Sequence, residues 1–182
     1  MVSLDGFIEG PNKEIDWHNW NDDMDEYMSA FFKGVDTIIL GRVAYELMAD
    51  YWPTSAAESE NPLIAHKMNK LTKLVYSKTL SKAEWRNARI INELKKDELL
   101  KLKQEAEKDI VIFGGAEMVQ SFIQYNLIDE FRLIVNPVIL GKGKLLFDKN
   151  TDRRMNLKFL NCIPKKSGNV ILCYGLTENI KS

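Results

Sequence analysis

Three short turns in this sequence carry residue types that can bind an anion. Each turn follows an apolar run: Gly41-Arg42 follows VDTIIL, Ser77-Lys78 follows TKLVY, and Gly114-Gly115 follows IVIF. Glycine lets the backbone approach a ligand closely, and arginine or lysine offers a positive charge and hydrogen-bond donors to a phosphate. Each turn alone also has an ordinary explanation, as a tight turn or a solvated side chain. Together the three turns indicate a site for a ligand with several anionic groups.

The glycine pair opens a predicted helix. After Gly115 the apolar residues recur at helical spacing, whereas the residues before Gly114 form a continuous apolar run that is typical of a buried strand. The first N–H groups of a helix have no partner within it, and the helix dipole favours a negative charge at that end. The stretch from Asp109 to Ile123 therefore predicts a turn that can bind a phosphate.

Arg42 stands at the start of another predicted helix, where the helix field disfavours a positive charge. That misfit favours a ligand anion near Arg42, because a guanidinium can make two parallel hydrogen bonds to a phosphate. Ser77 and Lys78 offer a hydroxyl and an ammonium to a further anionic group. Lys142 and Lys144, in LGKGKLLF, either add charge to the site or solvate a loop.

Alternating strands and helices must position these turns. Strands are predicted over VDTIIL, TKLVYS, ARIIN and IVIF, because continuous apolar runs suit a sheet that is covered on both faces. Helices are predicted from Asn21, which can cap the first one, to Gly34, and over VAYELMADYW, LIAHKMNK and KDELLKLKQEAEK. PTSAAESENP is typical of a loop, and Asn61 and Pro62 suit the N-cap and the first residue of the helix that follows it.

The ends of the chain differ from its middle. A first short strand is predicted to end near Leu4, before the loop DGFIEGPNKEIDW, and the last third holds the strands DEFRLIVNPVIL, NLKFLNCI and NVILCYGL. This order predicts an α/β fold with a mixed, mostly parallel sheet, helices on both faces and a C-terminal antiparallel hairpin. No repeat or linker divides residues 1–182, so we expect a single domain. Ligands of such sheets bind beyond the carboxyl ends of the strands, where the three turns lie.

Both cysteines lie on the predicted C-terminal hairpin. If Lys166 and Asn169 close a two-residue turn, Cys162 faces Cys173 across the two strands. Pro164 makes that register uncertain, because proline cannot donate a hydrogen bond to a sheet. Two buried free thiols in a reducing compartment are the favoured interpretation.

Composition narrows the classes of function. A net charge of -1 and a pI near 6.2 argue against broad nucleic-acid binding, which needs a basic face. No apolar run approaches the roughly 20 residues that span a bilayer, and MVSLDGFIEG has no features of a secretion signal. We therefore expect a cytoplasmic protein without a membrane partner. His18 and His66 have no carboxylate or cysteine at metal-ligand spacing, so we expect no metal site.

Five stretches, taken in order and spacing, resemble the dihydrofolate-reductase-like family. They are SLDGFIEGPNKEIDW, TIILGRVAYE, KLVYSKTL, DIVIFGGAEMVQSFI and DEFRLIVNPVILGKGKLLF. The closer match is the branch that contains the C-terminal reductase domain of the bifunctional riboflavin-biosynthesis protein, and the similarity covers nearly the whole chain. The resemblance implies a three-layer fold whose strand ends bind NADPH.

The resemblance also assigns residues to the ligand. It implies that Gly41 and Arg42 face the cofactor phosphates and that Ser77 and Lys78 lie at the adenosine 2′-phosphate. The pyrophosphate would then be bound by the start of the last helix, at Gly114, Gly115, Ala116 and Glu117. The loop from Ser3 to Trp17 would cover the nicotinamide and the substrate. The catalytic candidates are Asp5, in SLDG, and Asp22, near the start of the first helix.

The activity that the resemblance implies is an NADPH-dependent reduction of a small heterocycle, as in a ribosylaminopyrimidine phosphate reductase or a dihydrofolate reductase. Members of this branch often pair, so a homodimer is expected. The chain departs from the family pattern in having only Met1 and Val2 before SLDG, and in having Lys78 where the family usually has arginine. The short start and the missing substrate signature, with Asp16 rather than proline before Trp17, keep open an alternative, a catalytically inactive nucleotide-binding or regulatory protein with the same fold. Lys78, a point charge rather than a fork, weakens the preference for NADPH over NADH.

Overall fold

The apolar runs in the middle of the chain form a four-stranded parallel sheet. In the computed structural model, which describes residues 1–147 and 154–176, the strand order is β4-β3-β2-β5. The strands are β2 (Val35–Gly41), β3 (Thr72–Tyr76), β4 (Ala88–Ile91) and β5 (Asp109–Phe113). This sheet belongs to a compact unit that spans Asp25–Val119. Ile38, Leu40 and Val75 are fully buried, as the continuous apolar runs predict for central strands.

Helices connect β2 to β3 and β4 to β5, whereas residues 77–87 join β3 to β4 without a helix. The connecting helices are α2 (Arg42–Tyr51), α3 (Ser55–Glu60), α4 (Pro62–Lys70) and α5 (Lys96–Glu105). Helix α3 corrects the prediction that PTSAAESENP is a loop. The hydroxyl oxygen of Thr54 accepts the N–H of Ala57 at 3.2 Å, and this cap stabilises a short helix that has few apolar residues to mark it.

Strand β3 contains a buried lysine, Lys73, whose burial the neighbouring sequence does not predict. Lys73 is fully buried, and its Nζ donates to the backbone oxygens of Asn69, Leu71 and Arg86 at 3.3, 2.8 and 2.9 Å. The ammonium also lies 4.4 Å from the ring centroid of Trp85. Burial lowers the pKa of Lys73 to about 8. The side chain therefore stabilises the end of α4 and the start of β4 by satisfying their carbonyl groups.

A second compact unit is formed by Met1–Met24 together with the chain from Gln120 onward. Its main sheet is antiparallel, in the order β6-β9-β8, and a smaller antiparallel pair joins β1 to β7. The strands are β1 (Phe7–Glu9), β6 (Glu130–Val135), β7 (Lys144–Leu145), β8 (Leu157–Pro164) and β9 (Val170–Leu176). The remaining helices have residues in both units: α1 (Asp22–Phe31), which continues as a 3-10 turn over Phe32–Gly34, and α6 (Ala116–Gln124).

Two strand predictions at the ends of the chain need correction. The first strand, predicted to end near Leu4, is reduced to a single parallel bridge between Val2 and Val135. Strand β1 instead lies inside the predicted loop, because its partner β7 is about 135 residues away and leaves no local signal. The parallel strands form one sheet, and the antiparallel strands form the others.

The C-terminal hairpin is present, but its predicted register is wrong by one residue. Asn161 faces Cys173, and Cys162 faces Leu172. The reason is a three-residue turn in which Lys165 N–H donates to Asn169 O at 2.9 Å and Gly168 has a φ of +88°. Both thiols are free, as expected, but Cys162 is exposed rather than buried.

Within the described residues, none of the helices is both long and apolar enough to cross a bilayer.

Candidate functional site

The three anion-favouring turns lie side by side at one edge of the parallel sheet. Gly41 pairs with Tyr76 on one side of β2, and Leu40 pairs with Phe113 on the other, so all three strands end at the same level. Neighbouring strands lie roughly 4.8 Å apart, so the three turns span about 10 Å. The sheet therefore brings Ser77, Gly41 and Gly114 together at the edge where ligands of α/β sheets bind.

The two glycines of the Gly114-Gly115 turn have different physical roles. Gly114 has a φ of +107°, and a Cβ there would lie only 2.4 Å from the Cβ of Ala44, so close packing against α2 requires glycine. Gly115 has a φ of +29°, and a Cβ there would have no neighbour within 4 Å. Its backbone is therefore open to a ligand, at the point where α6 begins with Ala116.

Gly41 has room for a side chain, and its backbone conformation does not require glycine. Its φ of −76° is accessible to every residue type. A Cβ at this position would make an ordinary contact of 3.8 Å with Met118. Neither packing nor backbone geometry therefore demands a glycine at the N-cap of α2, which favours close approach of a ligand as its purpose.

Arg42, the residue after Gly41, is exposed and forms an ion pair with Glu46. The Nη1 of Arg42 donates to both carboxylate oxygens of Glu46, at 3.0 and 2.8 Å, one helical turn along α2. Both side chains are nearly half exposed, at 45% and 44%. Ion pairs of this exposed kind contribute about 0–1 kcal/mol, so a phosphate can compete with Glu46 for the guanidinium.

Ser77 and Lys78 have different roles in the second turn. Ser77 is buried, and its hydroxyl oxygen accepts the N–H groups of Thr79 and Leu80 at 3.2 and 2.9 Å. That oxygen therefore shapes the turn. Lys78 is exposed at the tip of the turn, where its ammonium can meet an anion. At the third turn, Ala116 is buried and Glu117 is exposed in the first turn of α6.

Asp5 lies in the other unit and is fully engaged by hydrogen-bond donors. Its carboxylate accepts the hydroxyl of Ser3 at 2.6 Å and the N–H groups of Leu140 and Gly141 at 3.2 and 2.8 Å. The hydroxyl of Ser3 in turn accepts the N–H of Phe7 at 2.9 Å. The Ser3 hydrogen bond and these backbone donors lower the pKa of Asp5. The carboxylate therefore joins the SLDG stretch to the turn after β6.

Asp22, the second catalytic candidate, is exposed as the first residue of α1. The neighbouring Asp23 is the acid that makes a long-range contact, because its Oδ2 accepts the N–H of Lys166 in the β8–β9 turn. Sequence reasoning missed this contact, since nothing local relates residues that are 143 positions apart. Asn21, predicted to cap α1, precedes the helix as expected, but its side-chain oxygen has no hydrogen-bond partner among the described residues.

No cluster of three or more histidine, cysteine or acidic side chains suited to a metal ion occurs in residues 1–147 and 154–176. The arrangement at the parallel sheet edge instead combines open glycine backbone, two cations and a helix N-terminus. Such a combination suits a ligand with several phosphate groups spaced along one molecule.

The chain is similar to known proteins in sequence and in structure. The sequence profile of the RibD C-terminal domain family matches residues 1–171. The chain is 39% identical over 177 residues to "Uncharacterized protein YyaP" of Bacillus subtilis (strain 168), covering 95% of this chain and 90% of that protein.

Two solved structures have the same fold. A putative riboflavin biosynthesis protein from Shewanella sp. PV-4 superimposes with a TM-score of 0.75 at 20% identity, over 97% of this chain and 96% of that one. A dihydrofolate reductase from Enterococcus faecalis, complexed with NADP(H) and RAB-propyl, superimposes with a TM-score of 0.63 at 15% identity, over 97% and 93%. These likenesses confirm the predicted α/β, dihydrofolate-reductase-like fold.

Proposed function

The chain belongs to the RibD C-terminal domain family, and from that premise we propose that it is an NADPH-dependent reductase. NADPH would supply a hydride to a small heterocyclic substrate of the pyrimidine, ribosylaminopyrimidine or pterin type. The observation that carries the proposal is the sheet edge where the Ser77, Gly41 and Gly114 turns lie on adjacent parallel strands. The Enterococcus faecalis dihydrofolate reductase of the same fold, whose structure holds NADP(H), supports the choice of cofactor.

In this proposal, each turn holds one anionic group of the cofactor. Gly41 and Arg42 face a phosphate, with the guanidinium leaving Glu46 to bind it. Lys78 meets the 2′-phosphate as a point charge, and Ser77 holds the turn that presents it.

The N-terminus of α6 holds the pyrophosphate. Gly115 offers close backbone approach, while Gly114 secures the turn against α2. The first N–H groups of the helix, at Ala116 and Glu117, face the phosphate oxygens.

The protein's own contribution to the reaction is to bind, orient and exclude water. A general acid at neutral pH needs a raised pKa, whereas hydrogen bonds from Ser3, Gly141 and Leu140 lower the pKa of Asp5. We therefore propose that Asp5 acts as an anion that anchors the SLDG stretch to the turn after β6. Asp22 is exposed on the first turn of α1, where it can approach a substrate directly.

A second candidate function is nucleotide binding without turnover. The observation that favours it is that hydrogen bonds from Ser3, Leu140 and Gly141 hold the carboxylate of Asp5 as an anion rather than as a proton donor. Oxidation of NADPH in the presence of dihydrofolate, a ribosylaminopyrimidine phosphate or a simple carbonyl would reject this alternative. Bound cofactor that stays reduced across that panel would favour it.

We further propose that the protein is a cytoplasmic homodimer. Strand β8 lies at the edge of its sheet, and Leu157, Phe159 and Leu160 on it are 39%, 59% and 46% exposed. An exposed apolar edge strand invites pairing with another chain. The exposed free thiol of Cys162 suits a reducing compartment. Sedimentation that finds only monomer at micromolar concentration would contradict the dimer.

The cofactor proposal is tested by titrating NADPH against tryptophan fluorescence. Wild-type protein is expected to bind, and Gly115→Val is expected to abolish binding, because the side chain would fill the open space beside the start of α6. Gly168→Val is the control, since Gly168 also has a positive φ, of +88°, and lies on the turn between β8 and β9. The control measures the cost of backbone strain and should leave the affinity for NADPH unchanged.

Two results would contradict the proposal. One is no binding of NADPH to the wild-type protein at millimolar concentration. The other is unchanged affinity in a Gly115→Val variant whose circular dichroism and thermal unfolding show that it is folded.

A further inference from the structure

The connection between β3 and β4, residues 77–87, carries Lys78 and contains no helix. Because the two strands are parallel, this connection must return along the length of the sheet before β4 begins. Its first end is held by the Ser77 hydroxyl oxygen, which accepts the N–H groups of Thr79 and Leu80. In the described part of the chain, residues 81–84 make no backbone hydrogen bond. The shape of the connection therefore depends on how its second end is held.

The second end is held by Lys73, at the start of β3. The Nζ of Lys73 donates to Arg86 O at 2.9 Å, and its backbone N–H donates to Asn87 O at 2.9 Å. The same ammonium donates to Leu71 O at 2.8 Å and lies 4.4 Å from the ring centroid of Trp85. A fully buried ammonium is costly without such partners, so Lys73 fixes residues 85–87 where they can satisfy it.

Trp85 joins this second end to two helices. Its backbone N–H donates to the hydroxyl oxygen of Tyr45 at 3.1 Å, and its indole Nε1–H donates to Asn69 Oδ1 at 2.7 Å. Tyr45 lies on α2, about one helical turn after Arg42, and Asn69 lies near the end of α4. The four residues at this junction form an anchor cluster: Tyr45, Asn69, Lys73 and Trp85. The anchor cluster therefore connects the helix that begins at Arg42 to the segment that carries Lys78.

The position of Lys78 matters because its ammonium acts at short range. Charges at a protein surface are screened by salt over about 10 Å, so a lysine distinguishes two ligands only when it lies close to the charge by which they differ. Lys78 is exposed, and the residues that follow its turn are not held by secondary structure. If the second end were released, only the turn of Ser77 would hold Lys78 near the end of β3. The anchor cluster therefore restricts where this ammonium can lie.

We propose that Lys73 is a positioning residue for cofactor selection, which acts through the anchor cluster to fix Lys78 relative to Arg42. The two cations then meet different phosphates of one dinucleotide. This inference rests on the proposed function, because it places Lys78 at the 2′-phosphate that NADPH has and NADH lacks. Lys73 itself is fully buried, so its effect on the cofactor passes through the segment that it holds.

The test compares the dissociation constants of NADPH and NADH, which differ only in the 2′-phosphate, by titrations that follow the fluorescence of the reduced nicotinamide. The wild-type protein is expected to prefer NADPH. Lys73→Met is expected to lower that preference about fivefold, by weakening the binding of NADPH. Trp85→Phe, which removes the indole N–H that Asn69 accepts, should change the preference in the same direction. This second variant carries the test if Lys73→Met does not fold.

Two control variants separate positioning from general effects. Lys70→Met removes an exposed positive charge from α4, and Leu99→Ala lowers stability from a buried position in α5. Both should keep the wild-type preference for NADPH. The proposal is overturned if Lys73→Met and Trp85→Phe also keep it, or if Leu99→Ala loses it to the same extent.

Lys78→Met gives a sharper test, because a positioning residue acts only through the group that it positions. In the Lys78→Met background, adding Lys73→Met should leave the ratio of the two dissociation constants unchanged. A fivefold change that persists without the Lys78 ammonium overturns the proposal.

Amide hydrogen exchange tests the same proposal without a cofactor. The N–H groups of Thr79 and Leu80 should exchange faster in Lys73→Met than in Leu99→Ala, under conditions in which the two variants are equally stable. Equal exchange in the two variants overturns the proposal.

The titrations of the wild-type protein separate this inference from the proposed function. Equal binding of NADPH and NADH would leave the reductase function standing and overturn the inference, because Lys78 would not meet the 2′-phosphate. Binding of neither cofactor would overturn both. A wild-type preference for NADPH that Lys73→Met and Trp85→Phe retain would overturn the inference alone.

Discussion

Replacing Lys73 should remove a dependence of stability on pH that its burial creates. The pKa of this lysine falls from 10.5 to about 8 on folding, because burial disfavours the ammonium. Between these two values the unfolded chain binds more protons than the folded one, so the free energy of unfolding rises with pH. At about 1.4 kcal/mol per pH unit, the rise from this group amounts to about 3 kcal/mol between pH 8 and 10.5.

Lys73→Met keeps the length of the side chain and removes the titrating group. The variant should lose that rise, so its curve of unfolding free energy against pH should be flatter than that of the wild type from pH 8 to 10.5. It should also be less stable at neutral pH, because the backbone oxygens of Leu71 and Arg86 lose their hydrogen-bond donor. Lys70→Met, on the exposed face of α4, is the matched control and should keep the wild-type slope.

The measurement is urea denaturation followed by circular dichroism at half-unit steps of pH. Subtracting the Lys70→Met curve from the Lys73→Met curve isolates the buried group from tyrosines and other residues that titrate in the same range. Parallel curves for the two variants would refute the reasoning, because they would mean that Lys73 titrates alike in the folded and unfolded chains.

Two further predictions concern the parallel sheet edge. Gly114→Ala should lower the free energy of unfolding by about 1–3 kcal/mol in thermal denaturation, through its positive φ and its clash with Ala44; Ala44→Gly in the same chain should recover part of this loss, and no recovery would argue against the clash. Glu46→Gln should release Arg42 from its ion pair and tighten NADPH binding about two- to fivefold in a fluorescence titration at low salt; weaker binding would indicate that Glu46 orients the guanidinium instead.

Much of the parallel sheet could be predicted, because its signals are local. VDTIIL and TKLVYS form the central strands β2 and β3 of the parallel sheet, and IVIF forms β5 beside β2. The position of each turn follows from where its run ends. The prediction that the turns of Gly41, Ser77 and Gly114 lie at one edge is confirmed, because parallel strands necessarily end on the same side.

The predictions of secondary structure and register failed where the local sequence pattern was weak or favoured two different structures. The short helix α3 is largely polar, and a single cap by Thr54 outweighs the loop-like composition of its sequence. The hairpin register depended on whether the turn has two residues or three, and Gly168 with its positive φ decided for three. That one-residue difference placed Cys162 opposite Leu172 rather than opposite Cys173.

By itself, then, the sequence determined the alternation of strands and helices and the three glycine or serine turns that follow the strands. These features depend on residues within a few positions of one another. Only the tertiary structure decided what each residue does in its turn: Gly114 packs against α2, Gly115 has open surroundings, and the Ser77 hydroxyl oxygen accepts the N–H groups that shape its turn. It also decided the contacts of Asn19 with Ser167 and of Asp5 with Gly141, since partners more than a hundred residues apart meet only after the chain has folded.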